Sequence, residues 1–203
     1  AAHMTQHLLL IAAIPPLLIA GAPQIAWAWL GTGTFAQRLP QPVRDACRRV
    51  SAPVPAFAAH TATLWGWHAR VPYEAALRNP ALHALEHATL LGTALLLWSA
   101  ALRPSGVRRN GQAVGIILLL ATAMQSGALG ALLAMSRTTW YGIGSDAASA
   151  WGLTPLADQQ LAGLIMWIPG GMLYTVAACG LFLAWIGPVH VRISAAAAAA
   201  ATQ

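Results

Sequence analysis

Five of the seven histidines in this chain have a spacing that could bind a metal ion. Two pairs, His3 with His7 and His83 with His87, are four residues apart, and His68 follows a Trp-Gly-Trp segment. Residues at positions i and i+4 share one helical face, with Cβ atoms about 5–6 Å apart. Neutral imidazole is a ligand for copper, zinc and iron, so each pair could act as a chelate. The histidines therefore predict an imidazole-rich metal site.

Other residues near these pairs could also bind the ion or make structural contacts. Glu86 shares the helical face of His83 and could bind the ion or orient an imidazole. His68 is a candidate third source of imidazole, whereas His60, about 12 Å deeper, is expected to make a structural contact. Two alternatives to a metal ion are a haem held by axial histidines and an interhelical hydrogen-bond network without an ion. The spacing is compatible with all three.

The composition around the histidines is that of a membrane protein. Of 203 residues, 58% are hydrophobic and 8% are charged, whereas a soluble domain carries about 25% charged residues. The net charge of +6 comes from arginines in short segments between apolar runs. That pattern is typical of membrane topology and not of nucleic-acid binding. We find no nucleophile–base pattern or phosphate loop, so we expect neither an enzyme nor a nucleic-acid partner.

The apolar runs predict an all-α fold, a polytopic helical bundle that crosses the lipid bilayer about five times. The expected spans are residues 2–20, 53–71, 80–102, 112–136 and 158–186. Residues 1–193 would form a single transmembrane domain, followed by an alanine-rich tail, 194–203, with no assigned role. We expect further spans upstream in the full protein. Pro15-Pro16 should break the first span, and Pro169-Gly170-Gly171 should kink the last.

The arginines predict how the bundle is oriented. Eight of the eleven follow the first, third and fifth expected spans, and positively charged loops remain in the cytoplasm. Residues 30–50, which contain four of these eight arginines, should lie on the membrane surface as a basic segment. All five candidate histidines then fall within about 10 Å of the outer surface. Cys47 and Cys179 fall toward the other side, so the outer site should contain no thiolate.

Three further residues on the outer side could support the site. Asp158 and Gln159, at the start of the last span, could hydrogen-bond to metal ligands, or they could simply cap the helix. Met166, two turns on, could supply a thioether, although methionine more often serves packing. Small residues in the fourth span, such as Gly130, should allow a neighbouring helix to approach closely.

Four segments in combination resemble a known family. They are His3-Met-Thr-Gln-His7 with the prolines and glycine that follow, Trp65-Gly-Trp-His68, Asn79-Pro-Ala-Leu-His-Ala-Leu-Glu-His87, and Pro155 to Trp167 with Pro169-Gly-Gly171. Each segment is weak evidence alone, but together they cover nearly all of residues 3–186. They resemble the CtaG family of cytochrome oxidase assembly factors, of the multi-span membrane type.

The resemblance implies a role in maturing haem–copper oxidases, connected with insertion of the active-site copper. The expected cofactor is then copper, bound by outer histidines of a bacterial inner-membrane protein. The expected partners are the catalytic subunit of the oxidase and periplasmic copper chaperones. Three alternatives remain open at this point: a haem b electron carrier, an accessory oxidase subunit and a copper transporter.

Overall fold

A computed structural model describes residues 1–21, 38–102, 111–142, 149 and 151–200, without the side chains of 187–200. Every regular element in this part of the chain is helical. In chain order these are α1 (Ala2–Leu8), a π-helical turn (Leu9–Ala13), α2 (Ile14–Gly21), α3 (Gln41–Val50), α4 (Pro53–His68), α5 (Arg70–Arg78), α6 (Pro80–Ala101), α7 (Gly111–Met135) and α8 (Pro155–Ala200). The predicted helical bundle is therefore confirmed.

Four stretches of helix are long and apolar enough to cross a membrane. They are Ala2–Gly21, Pro80–Ala101, Gly111–Met135 and Pro155–Ile186. Large apolar side chains point outward from these stretches; Leu17 is 71% exposed and Val176 67%. Contiguous apolar surface of this kind is rare on soluble monomers and fits contact with lipid. The basic loop of residues 103–110 and residues 30–37 of the expected basic segment lie outside the described residues.

The predicted second span, 53–71, is shorter than the sequence suggested. Helix α4 ends at His68 after 16 residues, and Ala69 adopts an extended conformation. The physical reason is Pro72, which lacks an amide hydrogen and would press its ring against the carbonyl of His68 in a continued helix. At 1.5 Å per residue α4 is about 24 Å long, less than the roughly 30 Å hydrocarbon core.

The double proline of the first span is accommodated without breaking the helix. Helix α1 passes through the π-helical turn into α2, which contains Pro15 and Pro16. Because Pro15 has no amide hydrogen, the carbonyl of Ile11 loses its α-helical partner. That carbonyl accepts hydrogen bonds from Trp98 Nε1 at 2.8 Å and from the Tyr174 hydroxyl at 3.2 Å. These two hydrogen bonds tie the first span to α6 and α8.

Helices α7 and α8 cross closely at their glycines. A Cβ added to Gly163 would lie 2.5 Å from both the Ala134 nitrogen and the Gly130 oxygen. The expectation of close contact at Gly130 is therefore confirmed. Helix α8 also continues through Pro169-Gly170-Gly171 as one element, Pro155–Ala200, so the motif predicted to kink the last span does not end the helix. The alanine-rich end extends α8 to Ala200.

Candidate metal centre

The start of α6 sets the positions of one histidine pair. Asn79 caps the helix, because its side-chain oxygen accepts hydrogen bonds from the amides of Ala81 and Leu82 at 2.9 and 3.3 Å. Pro80 follows as the first helical residue, a position that needs no amide hydrogen. His83 and His87 then share a helical face, with their ring centroids 4.2 Å apart.

Helix α1 brings the other pair against α6. The ring centroids of His3 and His7 are 4.2 Å apart. His3 Nδ1 lies 3.3 Å from His83 Nε2, and the rings of His7 and His87 are 5.2 Å apart. Residues about 80 positions apart in the sequence therefore present their imidazoles to one another. The histidines of separate helices lie together, as expected for a shared site.

Glu86 lies between the two pairs and is fully buried. Its carboxylate oxygens are 3.6 Å from His3 Nε2 and 3.4 Å from His7 Nε2. Neither oxygen forms a hydrogen bond within the described part of the chain. A buried carboxylate without a partner is costly, because it has lost its hydration. A proton or a metal cation at this point would remove that cost.

Four residues form a group whose geometry approaches that of a metal site, namely His3, His83, Glu86 and His87. One ligand atom from each lies within 4.8 Å of the others. An ion at about 2.1 Å from each atom requires separations of at most about 4.2 Å. The widest pair would therefore need to close by roughly half an ångström, which small side-chain rotations can supply. We call these four residues the outer cluster.

His68 lies beside the outer cluster, on the far side of His7. Its ring centroid is 5.7 Å from that of His7, and its Nε2 faces the sulfur of Met4 at 3.4 Å. Met166 from α8 lines the same small cavity as Met4 and His68. Sequence reasoning missed Met4, although its position three residues before His7 on the same helical face was a usable signal.

The residues proposed to support the ligands make other contacts. Gln159 accepts a hydrogen bond from the amide of Trp140 at 2.7 Å and donates to the Thr138 carbonyl at 3.3 Å. Asp158 lies with both carboxylate oxygens 3.0 Å from the backbone nitrogen of Ala1. These two residues hold the chain at this end of the bundle. His60 contacts the Thr93 hydroxyl through Nδ1 at 3.2 Å, deeper in α4.

A cap of aromatic side chains covers the outer cluster. The rings of Tyr73 and Tyr141 stack with centroids 3.9 Å apart, and Tyr73 lies 5.8 Å from the His3 ring. The Tyr141 hydroxyl donates to the carbonyl of His68 at 3.0 Å, the group released where α4 ends. Burial raises the pKa of Tyr73 to about 12 and also raises that of Tyr141. Both phenols therefore remain protonated at neutral pH.

Glu74 of α5 hydrogen-bonds to Gly142, the residue that follows Tyr141 of the cap. Its Oε1 accepts hydrogen bonds from the Gly142 amide at 2.7 Å and from Arg70 Nε at 3.1 Å. The Gly142 hydrogen bond, followed by Arg70, lowers the pKa of Glu74 below its ordinary value of 4.5. The resulting stabilisation is present above that ordinary pKa and is lost as the pH falls through the lower folded-state pKa.

We expect Glu74→Ala to lower the melting temperature at neutral pH, because the Gly142 amide loses its acceptor. The deficit relative to the wild-type protein should shrink as the pH is lowered from about 7 to about 3, where the wild-type carboxylate is also protonated. Thermal unfolding in detergent across this range measures it. Glu74→Gln is the control, since it retains an acceptor oxygen but cannot titrate. A deficit that does not change with pH would contradict the role assigned to the carboxylate.

Comparison with known proteins is consistent with this arrangement. The family model described as "Cytochrome c oxidase caa3 assembly factor (Caa3_CtaG)" matches residues 1–187. Neither the curated proteins nor the solved structures include a significant match. The matched range contains every residue of the outer cluster, the cap and the four stretches suited to cross a membrane. The chain therefore belongs to the caa3-type cytochrome c oxidase assembly factor family.

Proposed function

We propose that this assembly factor binds copper at the outer cluster and supplies it to the catalytic subunit of a haem–copper oxidase. One observation carries the proposal: three imidazoles and a buried carboxylate place ligand atoms within 4.8 Å of one another. That carboxylate has no hydrogen-bond partner among the described residues. A cation would therefore satisfy the most costly group of the site.

Copper suits this set of ligands better than the other divalent metals. Affinity for a site of nitrogen and oxygen ligands rises along the first-row metals to a maximum at copper. Imidazole nitrogens without thiolate also leave the ion exchangeable, which a donor protein needs. The absence of a thiolate follows from the described positions of Cys47 and Cys179, neither of which belongs to the outer cluster.

The packing of the rings favours a small ion over a haem. His3 and His83 contact each other directly, with nitrogens 3.3 Å apart. The rings of His7 and His87 are 5.2 Å apart and nearly perpendicular. A porphyrin would have to slide between such rings and force α1 away from α6. A role as a non-catalytic metal carrier fits this geometry better than haem-based electron transfer.

The distribution of arginines supports placing the outer cluster on one side of the membrane. The arginine-rich segments would lie in the cytoplasm of a bacterial inner membrane, which places the outer cluster at the periplasmic face. Periplasmic copper chaperones could then reach it through the cap. A cavity of about 70 Å³ beside Tyr73 and Tyr141 extends to Met4.

Substitution of the α6 pair tests the proposal. We expect His83→Ala or His87→Ala to weaken copper binding by about 100-fold or more, since loss of a residue that merely supports a ligand already costs roughly 10–100-fold. The double variant should be scarcely weaker than either single one, because the two imidazoles act as one chelate. Binding is measured on the purified full chain by competition with a copper chelator.

His60→Ala is the matched control, since His60 contacts Thr93 within the bundle but lies outside the outer cluster. It should retain wild-type copper affinity. In cells, the α6 variants should lower the active-site copper of the client oxidase while its haem content is maintained. Additive losses from the two single variants would refute the chelate, and unchanged oxidase copper would refute delivery.

A further inference from the structure

Met4 and His68 make a contact inside the bundle that ordinary packing does not explain. Met4 Sδ lies 3.4 Å from His68 Nε2, and each residue is 3% exposed. We propose that these two atoms bind a second metal ion, a cuprous ion, at a thioether–imidazole site separate from the outer cluster. The proposal extends the proposed copper function but does not depend on the outer cluster binding metal.

The hydrogen bonding of His68 leaves its Nε2 with a free lone pair. Its Nδ1 lies 2.7 Å from the carbonyl oxygen of Leu64. Because a carbonyl only accepts, Nδ1 carries the proton and donates it there. In a neutral imidazole the other nitrogen is then an acceptor. A doubly protonated ring would instead place a positive charge in an apolar interior.

Met4 cannot satisfy that lone pair by itself. A thioether sulfur is an acceptor without a hydrogen to donate, so two lone pairs face each other across 3.4 Å. A cation between them would convert a repulsive contact into two bonds. With bond lengths of about 2.1 Å to nitrogen and about 2.3 Å to sulfur, the angle at the ion would be about 100°, close to tetrahedral.

The surroundings select a soft, weakly hydrated ion. A cavity of about 10 Å³ adjoins the pair, the space of a single water-sized body. Its walls include the side chains of Leu8, Leu64 and Tyr174 and a second thioether, Met166. Thioether and imidazole ligands in an apolar setting favour Cu(I), whereas hard divalent ions such as Mg²⁺ and Ca²⁺ prefer oxygen ligands and water.

His7 connects the two sites. Its ring lies 4.2 Å from His3 in the outer cluster and 5.7 Å from His68. It is 1% exposed, and neither ring nitrogen has a hydrogen-bond partner among the described residues. A buried imidazole free at both nitrogens can serve either ion. His7 therefore provides an imidazole within reach of both sites.

The test uses the full chain in detergent, loaded with Cu(I) under anaerobic reducing conditions. X-ray absorption at the copper edge should detect sulfur in the coordination sphere of the wild-type protein. Met4→Leu conserves side-chain volume and should remove this Cu–S component and weaken one Cu(I) equivalent by about tenfold or more. Met172→Leu is the control, because Met172 is 62% exposed on α8, and it should retain both properties.

Selenomethionine labelling provides a measurement without any substitution. The labelled protein should show copper–selenium scattering in place of copper–sulfur scattering. No copper–selenium contact, or a Cu–S component that survives Met4→Leu, would overturn the Met4–His68 site. Glu86→Gln separates this proposal from the proposed function. That variant should lose only the ion of the outer cluster and keep the Cu–S component. If it loses no ion while Met4→Leu loses the sulfur ligand, the outer cluster fails and the Met4–His68 site stands.

Discussion

Glu86→Gln is expected to abolish the stabilisation that Cu(II), bound at the outer cluster, confers on the folded protein. The substitution preserves the shape of the side chain but removes the negative charge that the three imidazoles surround. A ligand at 100 times its dissociation constant stabilises the native state by about 2.7 kcal/mol. For a chain of this size that corresponds to a rise in melting temperature of roughly 5–10 °C. In the variant the rise should disappear.

The metal-free variant should melt at or above the temperature of the metal-free wild-type protein, because a neutral amide costs less to bury than an unpaired carboxylate. This combination distinguishes a lost ligand from a damaged fold. Asp45→Asn is the matched control, since Asp45 lies on α3, beyond the end of α4 opposite His68. It should retain the full copper-induced shift. If Glu86→Gln also retains it, the carboxylate is not a ligand.

Gly163→Leu is expected to destabilise the bundle more than any substitution on the surface of α8. The new Cβ would lie 2.5 Å from backbone atoms of α7, which cannot rotate away as a side chain could. The helices must separate, at a cost of about 3 kcal/mol or more. The melting temperature should therefore fall by roughly 6–12 °C. Copper binding at the Met4–His68 site should weaken as well, because Met166, one turn further along α8, lines the cavity beside that site.

Gly180→Leu is the control for this prediction. Gly180 lies in the same helix, but nothing lies within 4 Å of a Cβ at that position. Leucine is a better helix former than glycine by about 0.8 kcal/mol, so the control should be neutral or slightly stabilised. Only Gly163→Leu should therefore lower the melting temperature. A similar loss in both would mean that the crossing at Gly163 is not tight.

The start of α6 and the shared face of its histidine pair could be predicted from the sequence, because both depend on residues that are close together in the chain. Asn79-Pro80 is a start signal that fixes where α6 begins, and the i, i+4 spacing then places His83 and His87 on one face. The apolar runs likewise predicted the membrane-spanning stretches, since hydrophobic length reports on what can cross a bilayer. The end of α4 at His68 was also determined locally by Pro72, although the span prediction ran past it.

Other features depended on which helices pack together. The carbonyl released at Pro15 is satisfied by Trp98 and Tyr174, which come from two distant helices. The proline pair alone predicted a break in the helix, because the sequence does not show which residues will supply the missing hydrogen bonds. Helix α8 likewise continues through Pro169 as one element, Pro155–Ala200, and the kink expected there stays a prediction.

The sequence by itself determined the membrane class, the helices, the histidine pairs and, through its motifs, the family. Only the tertiary structure decided that Glu86 lies buried between His3 and His7, and that His68 faces the sulfur of Met4. It also paired Asp158 with the nitrogen of Ala1 and Gln159 with the amide of Trp140. The physical reason is range: spacing along one helix sets which side chains share a face, whereas the distance between faces depends on how close the helices pack.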